Sequence, residues 1–117
     1  GNDRGGSMTN AEVVEMLTET GLPFTYYSYP EKEAPLLPYI LFFYSRSNNF
    51  PADDSVYQRI DSLNIELYTA NKSFDLETQV EAILNKYGFV WEKSEVYLNT
   101  EHMYEVIYEM EIVINAE

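Results

Sequence analysis

The chain has 117 residues, enough for one domain, and its 20 acidic and 7 basic residues give a formal net charge of −13. A surface of that sign repels phosphate backbones and anionic lipids, so tight sequence-specific binding of DNA is not expected. The absence of cysteine excludes disulfides and thiolate metal sites, and with no signal peptide or apolar run of about 18 residues we expect no membrane partner.

The first seven residues, GNDRGGS, have the composition of an expression-tag remnant. We therefore expect residues 1–7 to be disordered or extended and residues 8–117 to form a single domain. A helix is predicted at the start of that domain. Thr9 is a good N-cap, Glu12 completes a capping box with it, and Gly21 ends the helix.

A short strand is predicted at 24–29, before a proline-rich stretch at 30–38 that is typical of an ordered but irregular loop. The apolar run 39–45 predicts a strand that is covered on both faces, or covered on one face with an interface on the other. The next stretch, RSNNFPADD, has the chemistry of turns.

The segment 55–69 predicts a long strand. Leu63, Ile65 and Leu67 point to one face of it, and polar residues point to the other. Ile60 interrupts this alternation, which predicts a bulge or a bend near Asp61.

The second helix has the strongest signals. Ser73 can cap its first turn and Gly88 follows its last turn. Asp75 and Glu77 lie near the positive end of its dipole. Its apolar stripe consists of Leu76, Val80, Ile83, Leu84 and Tyr87.

Two further strands are predicted. In the strand 89–98 the residues expected to face the core change from odd positions, Phe89 and Trp91, to even positions, Val96 and Leu98. The last strand, 104–114, places carboxylates on one face and apolar side chains on the other. Its carboxylates are Glu105, Glu109 and Glu111.

The order of these elements predicts an α+β fold. Strands joined by short loops pair antiparallel, and two amphipathic helices can cover one face of the resulting sheet. We therefore expect a two-layer sandwich, with an antiparallel sheet of about four to five strands and two helices packed on one face.

Residues that could carry chemistry are few. His102, the only histidine, has no local partner motif and is interpreted as a surface residue. Asp53 and Asp54, near Asn48 and Asn49, offer oxygen ligands, but they lack the spacing of a calcium loop, so loop capping is the favoured interpretation.

The carboxylate row of the last strand has two interpretations. Paired carboxylates can hydrolyse glycosides when one of them has a raised pKa in a cleft. A row on an exposed strand instead stays solvated and ionised, and this interpretation is favoured. We therefore predict no catalytic residue, no metal site and no cofactor.

The aromatic content favours self-association. Two clusters, residues 26–29 and 42–44, carry more aromatic surface than one small core readily hides. Aromatic side chains are enriched in the cores of protein interfaces. Copies of the chain are therefore an expected partner.

The stretches PYILFFYSRSNNFPADDSVYQRIDSLNIELYT and EKSEVYLNTEHMYEVIYEMEI resemble a family of short prophage proteins from the structural-gene clusters of long-tailed phages of Gram-positive bacteria. The similarity runs from about Leu22 to Ile114. It implies a tail-completion or tail-terminator protein, located in the virion and in the host cytoplasm during assembly. The implied fold is an antiparallel sheet packed by helices, with subunits in a ring, commonly a hexamer.

The resemblance also implies partners. The ring would contact tail-tube and head-closure proteins, and genome DNA would pass through it without specific binding. The loops 46–55 and 31–38 are candidates for subunit or tube contacts, and the family has no catalytic residues to carry over. The candidate contact residues are Glu31, Lys32, Glu33, Arg46, Asn48, Asn49, Phe50, Asp53 and Asp54.

Carboxylates that face the bore of such a ring would repel phosphates and keep friction low. We expect some of Glu105, Glu109, Glu111, Asp53 and Asp54 to face the bore or a subunit seam. Two other functions stay open: an acidic interaction module or DNA mimic that inhibits a nucleic-acid-binding protein, and a small hydrolase with an unrecognised carboxylate site.

Overall fold

The computed structural model describes residues 7–46 and 58–115, with side chains from Met8 to Ser45 and from Ile60 to Asn115. This part of the chain forms six strands and two helices. Their order is β1 (Ser7–Thr9), α1 (Asn10–Thr18), β2 (Phe24–Tyr26), β3 (Tyr39–Arg46), β4 (Gln58–Thr69), α2 (Phe74–Lys86), β5 (Trp91–Leu98) and β6 (Met103–Asn115).

Both helices begin at the predicted caps. The Thr9 amide donates to Glu12 Oε1 at 2.9 Å, and the Glu12 amide donates to Thr9 Oγ1 at 3.2 Å. In α2 the Leu76 amide donates to Ser73 Oγ at 3.3 Å. Gly21, at φ +74°, and Gly88, at φ +85°, follow the two helices in the left-handed conformation that glycine adopts without strain.

The sheet is curled and mixed, with the order β1-β6-β4-β3-β2 and with β5 also paired to β6. β3–β4, β4–β6 and β5–β6 are antiparallel, but β1 runs parallel to β6 and β2 runs parallel to β3. The expected α+β class is confirmed, whereas the expected all-antiparallel sheet of four to five strands is wrong.

The length of the connection between β2 and β3 allows these two strands to pair in parallel. A parallel pair needs a crossover of about a dozen residues, and the loop 27–38 between β2 and β3 has that length. β1 was not predicted because Ser7 falls in the segment interpreted as a tag. Ser7 pairs with Val113 and Met8 pairs with Ile114, while residues 1–6 lie outside the described part of the chain.

Both helices pack against the apolar face of the sheet, but the expected two-layer sandwich is not confirmed because the sheet is mixed and curled into a half-barrel. The buried apolar residues of α1 and α2 meet those of the strands in one core. That core includes Met8, Val13, Met16, Leu17, Ile40, Phe42, Leu63, Ile65, Leu67, Val80, Leu84, Phe89, Val106, Tyr108, Met110 and Ile112.

The predicted bulge near Asp61 is wrong. β4 pairs with β6 in an unbroken register from Gln58 opposite Asn115 to Thr69 opposite Tyr104. The alternation fails in the sequence because Asp61 takes a buried position on the helix side, with 1% of its surface exposed.

The phase of β5 does not switch either. Its register with β6 is continuous from Trp91 opposite Met110 to Leu98 opposite Met103. Trp91 therefore lies on the helix side, whereas Val96 and Leu98 lie on the opposite face. No helix in the described ranges is long and apolar enough to cross a membrane.

Candidate functional site on the open face of the sheet

The face of the sheet that lies opposite the helices is called the open face. The strand registers place five carboxylates on it, from β4, β5 and β6. Among the side chains described on this face there is no lysine or arginine. The five carboxylates are Glu66, Glu92, Glu105, Glu109 and Glu111.

The row predicted on the last strand is confirmed as one face. Glu109 and Glu111 are exposed, Glu105 is partly exposed, and the residues between them include buried Tyr108 and Met110. These alternating exposures follow from the two-residue period of a strand.

Two of the carboxylates lie directly opposite each other. Glu92 of β5 pairs with Glu109 of β6, and both are exposed. Like charges at directly opposed positions destabilise a sheet. The negative potential is therefore maintained against a small cost in stability.

A tyrosine joins two other carboxylates at the centre of the open face. The Tyr68 hydroxyl lies 2.8 Å from Glu66 Oε1 and 3.0 Å from Glu105 Oε2. A phenol has one proton, so it donates to one carboxylate at a time. Glu66 and Tyr68 are two residues apart on β4, and Glu105 lies directly opposite Tyr68 on β6.

The environment shifts the protonation of this cluster. Burial raises the pKa of Glu66; the hydrogen bond from Tyr68 opposes the rise, and the nearby Glu105 adds to it. Burial, followed by contact with Glu66, also raises the pKa of the Tyr68 hydroxyl, which stays protonated.

Glu66, which lies on β4 beside the carboxylate row of β6, differs from a solvated glutamate. Glu66 holds its proton more strongly than a solvated glutamate, which is a property of acids in hydrolases. However, the Tyr68 hydroxyl occupies the position between the two carboxylates. A substrate oxygen that accepted a proton from Glu66 would have to take this position.

Aromatic side chains extend the open face toward β2 and the loop 27–38. The Tyr39 ring lies 5.3 Å from that of Tyr68, and the Tyr29 ring lies 5.4 Å from that of Tyr39. Tyr27 is 66% exposed and packs edge-on against Phe43. This surface is available for the self-association expected from the aromatic content.

The helix side carries an ion network. Glu77 of α2 is 3% exposed, with its carboxylate oxygens 2.8 Å from Lys72 Nζ and 2.8 Å from Lys93 Nζ. Lys93 also contacts Glu81 at 2.7 Å, and Lys72 contacts Glu95.

The two lysines determine the charge state of Glu77. Burial by itself raises the pKa of Glu77, but the ammonium groups of Lys72 and Lys93 outweigh burial and hold this pKa below its usual range. Glu81 accepts a hydrogen bond from the Tyr108 hydroxyl at 2.8 Å. The network thus fixes α2 to β5 and β6.

Of the other predicted contact residues, Glu31, Lys32 and Glu33 lie in an exposed turn of the loop 27–38. Arg46 ends β3, and its side chain is not among those described. His102 is exposed in the β5–β6 turn at φ +54°. Asn48, Asn49, Phe50, Asp53 and Asp54 lie outside the described residues, so their predicted roles stay predictions.

Sequence reasoning did not predict the contacts of Glu66, Tyr68, Glu92 and Glu77 in these clusters. Glu66 and Tyr68 meet Glu105 only through the β4–β6 register, which joins positions 37 residues apart in the chain. Glu92 likewise depends on the β5–β6 register. Glu77 carried a usable signal, because its position in α2 places it beside Val80 and Leu84 on the buried face.

Within residues 7–46 and 58–115, no group of three or more histidine, aspartate or glutamate side chains is arranged to hold a metal ion. Comparison of the chain with protein-family models and with curated proteins found no match.

Proposed function

We propose that this protein is a non-enzymatic structural component of a phage virion, a tail-completion or tail-terminator subunit that assembles as a ring around the path of the DNA. The observation that carries the proposal is the open face, with five carboxylates and no lysine or arginine among its described side chains. The sequence resemblance suggests the phage virion as the biological setting. The open face suggests how the negative charge of the chain would act in that setting.

The open face would line the bore. At physiological salt a charge acts over about 8 Å, so carboxylates on the wall of a narrow bore repel the phosphates of DNA that passes through it. Glu92, Glu109 and Glu111 are suited to this role because all three are exposed on this face.

The distribution of the lysines supports this orientation. Lys72 and Lys93 form ion pairs with Glu77, and Lys86 forms an ion pair with Glu19 at 2.8 Å. All of these pairs lie on the helix side. A ring with its helices outward would keep these cations away from the DNA.

The proposal is tested by native mass spectrometry and negative-stain microscopy of the purified chain, alone and mixed with tail tubes of the phage that encodes it. We expect a closed ring, a hexamer by resemblance, at the end of the tubes. A chain that stays off the tubes at every concentration would contradict the proposal.

A second candidate is an acidic module that binds a nucleic-acid-binding protein in place of DNA. The spread of carboxylates over three strands favours it, because a mimic needs negative charges over a broad face. Displacement of a repressor or nuclease from labelled DNA by the free chain would support this function. The matched control is the chain with Glu109→Gln and Glu111→Gln, which should displace the partner less well.

A further inference from the structure

The outer edge of β5 is a long and regular sheet edge. β5 pairs with β6 on one side over eight residues, and no described strand pairs with its other side. Its register has no bulge, and its sequence, WEKSEVYL, has no proline or glycine. The backbone groups along this edge are therefore in position to accept another strand.

The usual protection of such an edge is weak here. Free charged side chains keep sheet edges apart, but two of the three charged residues of β5 are engaged: Lys93 is held by Glu77 and Glu81, and Glu95 is held by Lys72, which leaves Glu92. Val96 and Tyr97 are each 42% exposed beside them. The edge therefore offers both apolar surface and charges of both signs.

We infer that two copies of this chain associate through β5, antiparallel, about a two-fold axis at Ser94. In this arrangement a residue that precedes Ser94 by a given number of positions lies opposite the residue that follows Ser94 by the same number of positions in the second copy. The inference does not depend on the proposed virion role, because it concerns the free protein.

The register follows from the pattern of side chains around Ser94. Lys93 lies opposite the second copy's Glu95, and Trp91 lies opposite the second copy's Tyr97. Opposite charges and aromatic pairs at directly opposed positions each stabilise an antiparallel pair. The two-fold axis repeats each of these pairs once.

Neighbouring registers are unfavourable. An axis at Lys93 would oppose two Lys93 ammonium groups, and an axis at Glu95 would oppose two Glu95 carboxylates. Directly opposed residues of antiparallel strands point to the same face of the sheet. A two-fold axis placed between two neighbouring residues would bring a residue of one face opposite a residue of the other face, so such an axis is excluded. Ser94 is the position in the middle of β5 that avoids both problems.

Cross-linking tests the axis directly. The chain has no cysteine, so Ser94→Cys introduces one thiol per copy, and the two thiols lie opposite each other at a Cα separation of about 5 Å. The control Glu92→Cys places its thiols about 13 Å apart, four residues along the strands. We expect oxidation, or a short bis-maleimide, to give a covalent dimer with Ser94→Cys at least tenfold faster than with Glu92→Cys.

Charge substitution at one position tests the register without a cross-link. Glu92 lies opposite the second copy's Val96, so Val96→Lys should tighten the dimer and Val96→Glu should weaken it, each by a few-fold or more in dissociation constant. Val14, 36% exposed on α1, provides the matched controls Val14→Lys and Val14→Glu. These controls change net charge equally and should differ from each other less.

Sedimentation velocity over a range of protein and salt concentrations measures the equilibrium. We expect a concentration-dependent dimer that salt strengthens, because each copy carries a net charge of −13. A monomer at all concentrations overturns the inference. Equal cross-linking rates of Ser94→Cys and Glu92→Cys would also overturn the inference. So would equal effects of the charge substitutions at positions 96 and 14 on the dissociation constant. None of these results tests the proposed ring.

Discussion

Two glutamates in this protein respond to their surroundings in opposite directions. Glu66 lies beside Glu105 and Tyr68 on the open face, and its pKa is raised, first by burial. Glu77 lies between Lys72 and Lys93 on the helix side, and its pKa is lowered because these cations outweigh burial. The same residue type therefore destabilises the fold at neutral pH in one place and stabilises it in the other.

Glu66→Gln should increase the free energy of unfolding at pH 7. A raised folded-state pKa contributes stability that is present below the unfolded value, near 4.5, and is lost as pH rises through the folded value. The amide keeps the contact with Tyr68 and removes the charge beside Glu105. We expect a gain of about 0.5–1 kcal/mol, since Glu66 is partly solvated, measured by urea unfolding between pH 4 and 8.

The gain should shrink toward pH 4, where the wild-type carboxyl is protonated. Glu111→Gln, on the same face but exposed and opposite Ser62, is the control and should change stability by less. A Glu66→Gln protein that is less stable than wild type at pH 7 would contradict the assignment of a like-charge contact.

Glu77→Gln should destabilise the protein. It leaves Lys72 and Lys93 without their shared carboxylate, and we expect a loss of about 1–3 kcal/mol at pH 7 because both lysines retain some hydration. The lowered pKa of Glu77 contributes stability that is present above the unfolded value, near 4.5, and is lost as pH falls through the folded value.

The unfolding free energies of Glu77→Gln and wild type should therefore converge in acid. Glu15→Gln, at an exposed position of α1, is the control and should cost less than about 0.5 kcal/mol. A difference between Glu77→Gln and wild type that is independent of pH would show that the ion network does not stabilise the fold.

At the scale of elements, local chemistry determined what could be predicted. Neighbouring residues in the sequence determine the helix caps at Thr9 and Ser73 and the alternation of β6. The structure has these features at the predicted positions. β1, the parallel pairing of β2 and the Glu66–Glu105 contact depend on which strands meet. Such pairings join residues far apart in the chain, and the local sequence of a strand does not identify its partner strand.

Polar residues at core-facing positions were a second reason why predictions from the sequence were wrong. Asp61 and Glu77 are buried on the helix side, where a pattern of apolar residues predicts an interruption or an exposed face. The bulge predicted near Asp61 came from this assumption. A buried carboxylate with cationic partners fits into a regular element without distorting it, as Glu77 does in α2.

The capping box of α1 gives a prediction at this scale. Thr9→Ala removes the acceptor for the Glu12 amide and should lower the free energy of unfolding by about 1 kcal/mol. Thr18→Ala, an exposed position at the end of the same helix, is the control and should change stability by less. Equal losses in the two variants, measured by thermal unfolding, would mean that the cap does not determine where α1 begins.

At the scale of the whole molecule, the lysines of the described ion pairs all lie on one side of the sheet, whereas carboxylates lie on both sides. Carboxylates dominate the open face, while Lys72, Lys86 and Lys93 are engaged in ion pairs on the helix side. Glu92 and Glu109 lie directly opposite each other, and an arrangement of like charges at such positions is unfavourable. We propose that this distribution serves a negatively charged surface turned toward DNA.

The most direct test of the proposed virion role is a cryo-electron microscopy reconstruction of phage particles released by cells that carry the gene for this chain. We expect a ring of subunits at the junction of head and tail, with Glu92, Glu109 and Glu111 facing the channel. Particles that lack the chain, or a ring whose channel is lined by the helix side, would contradict it.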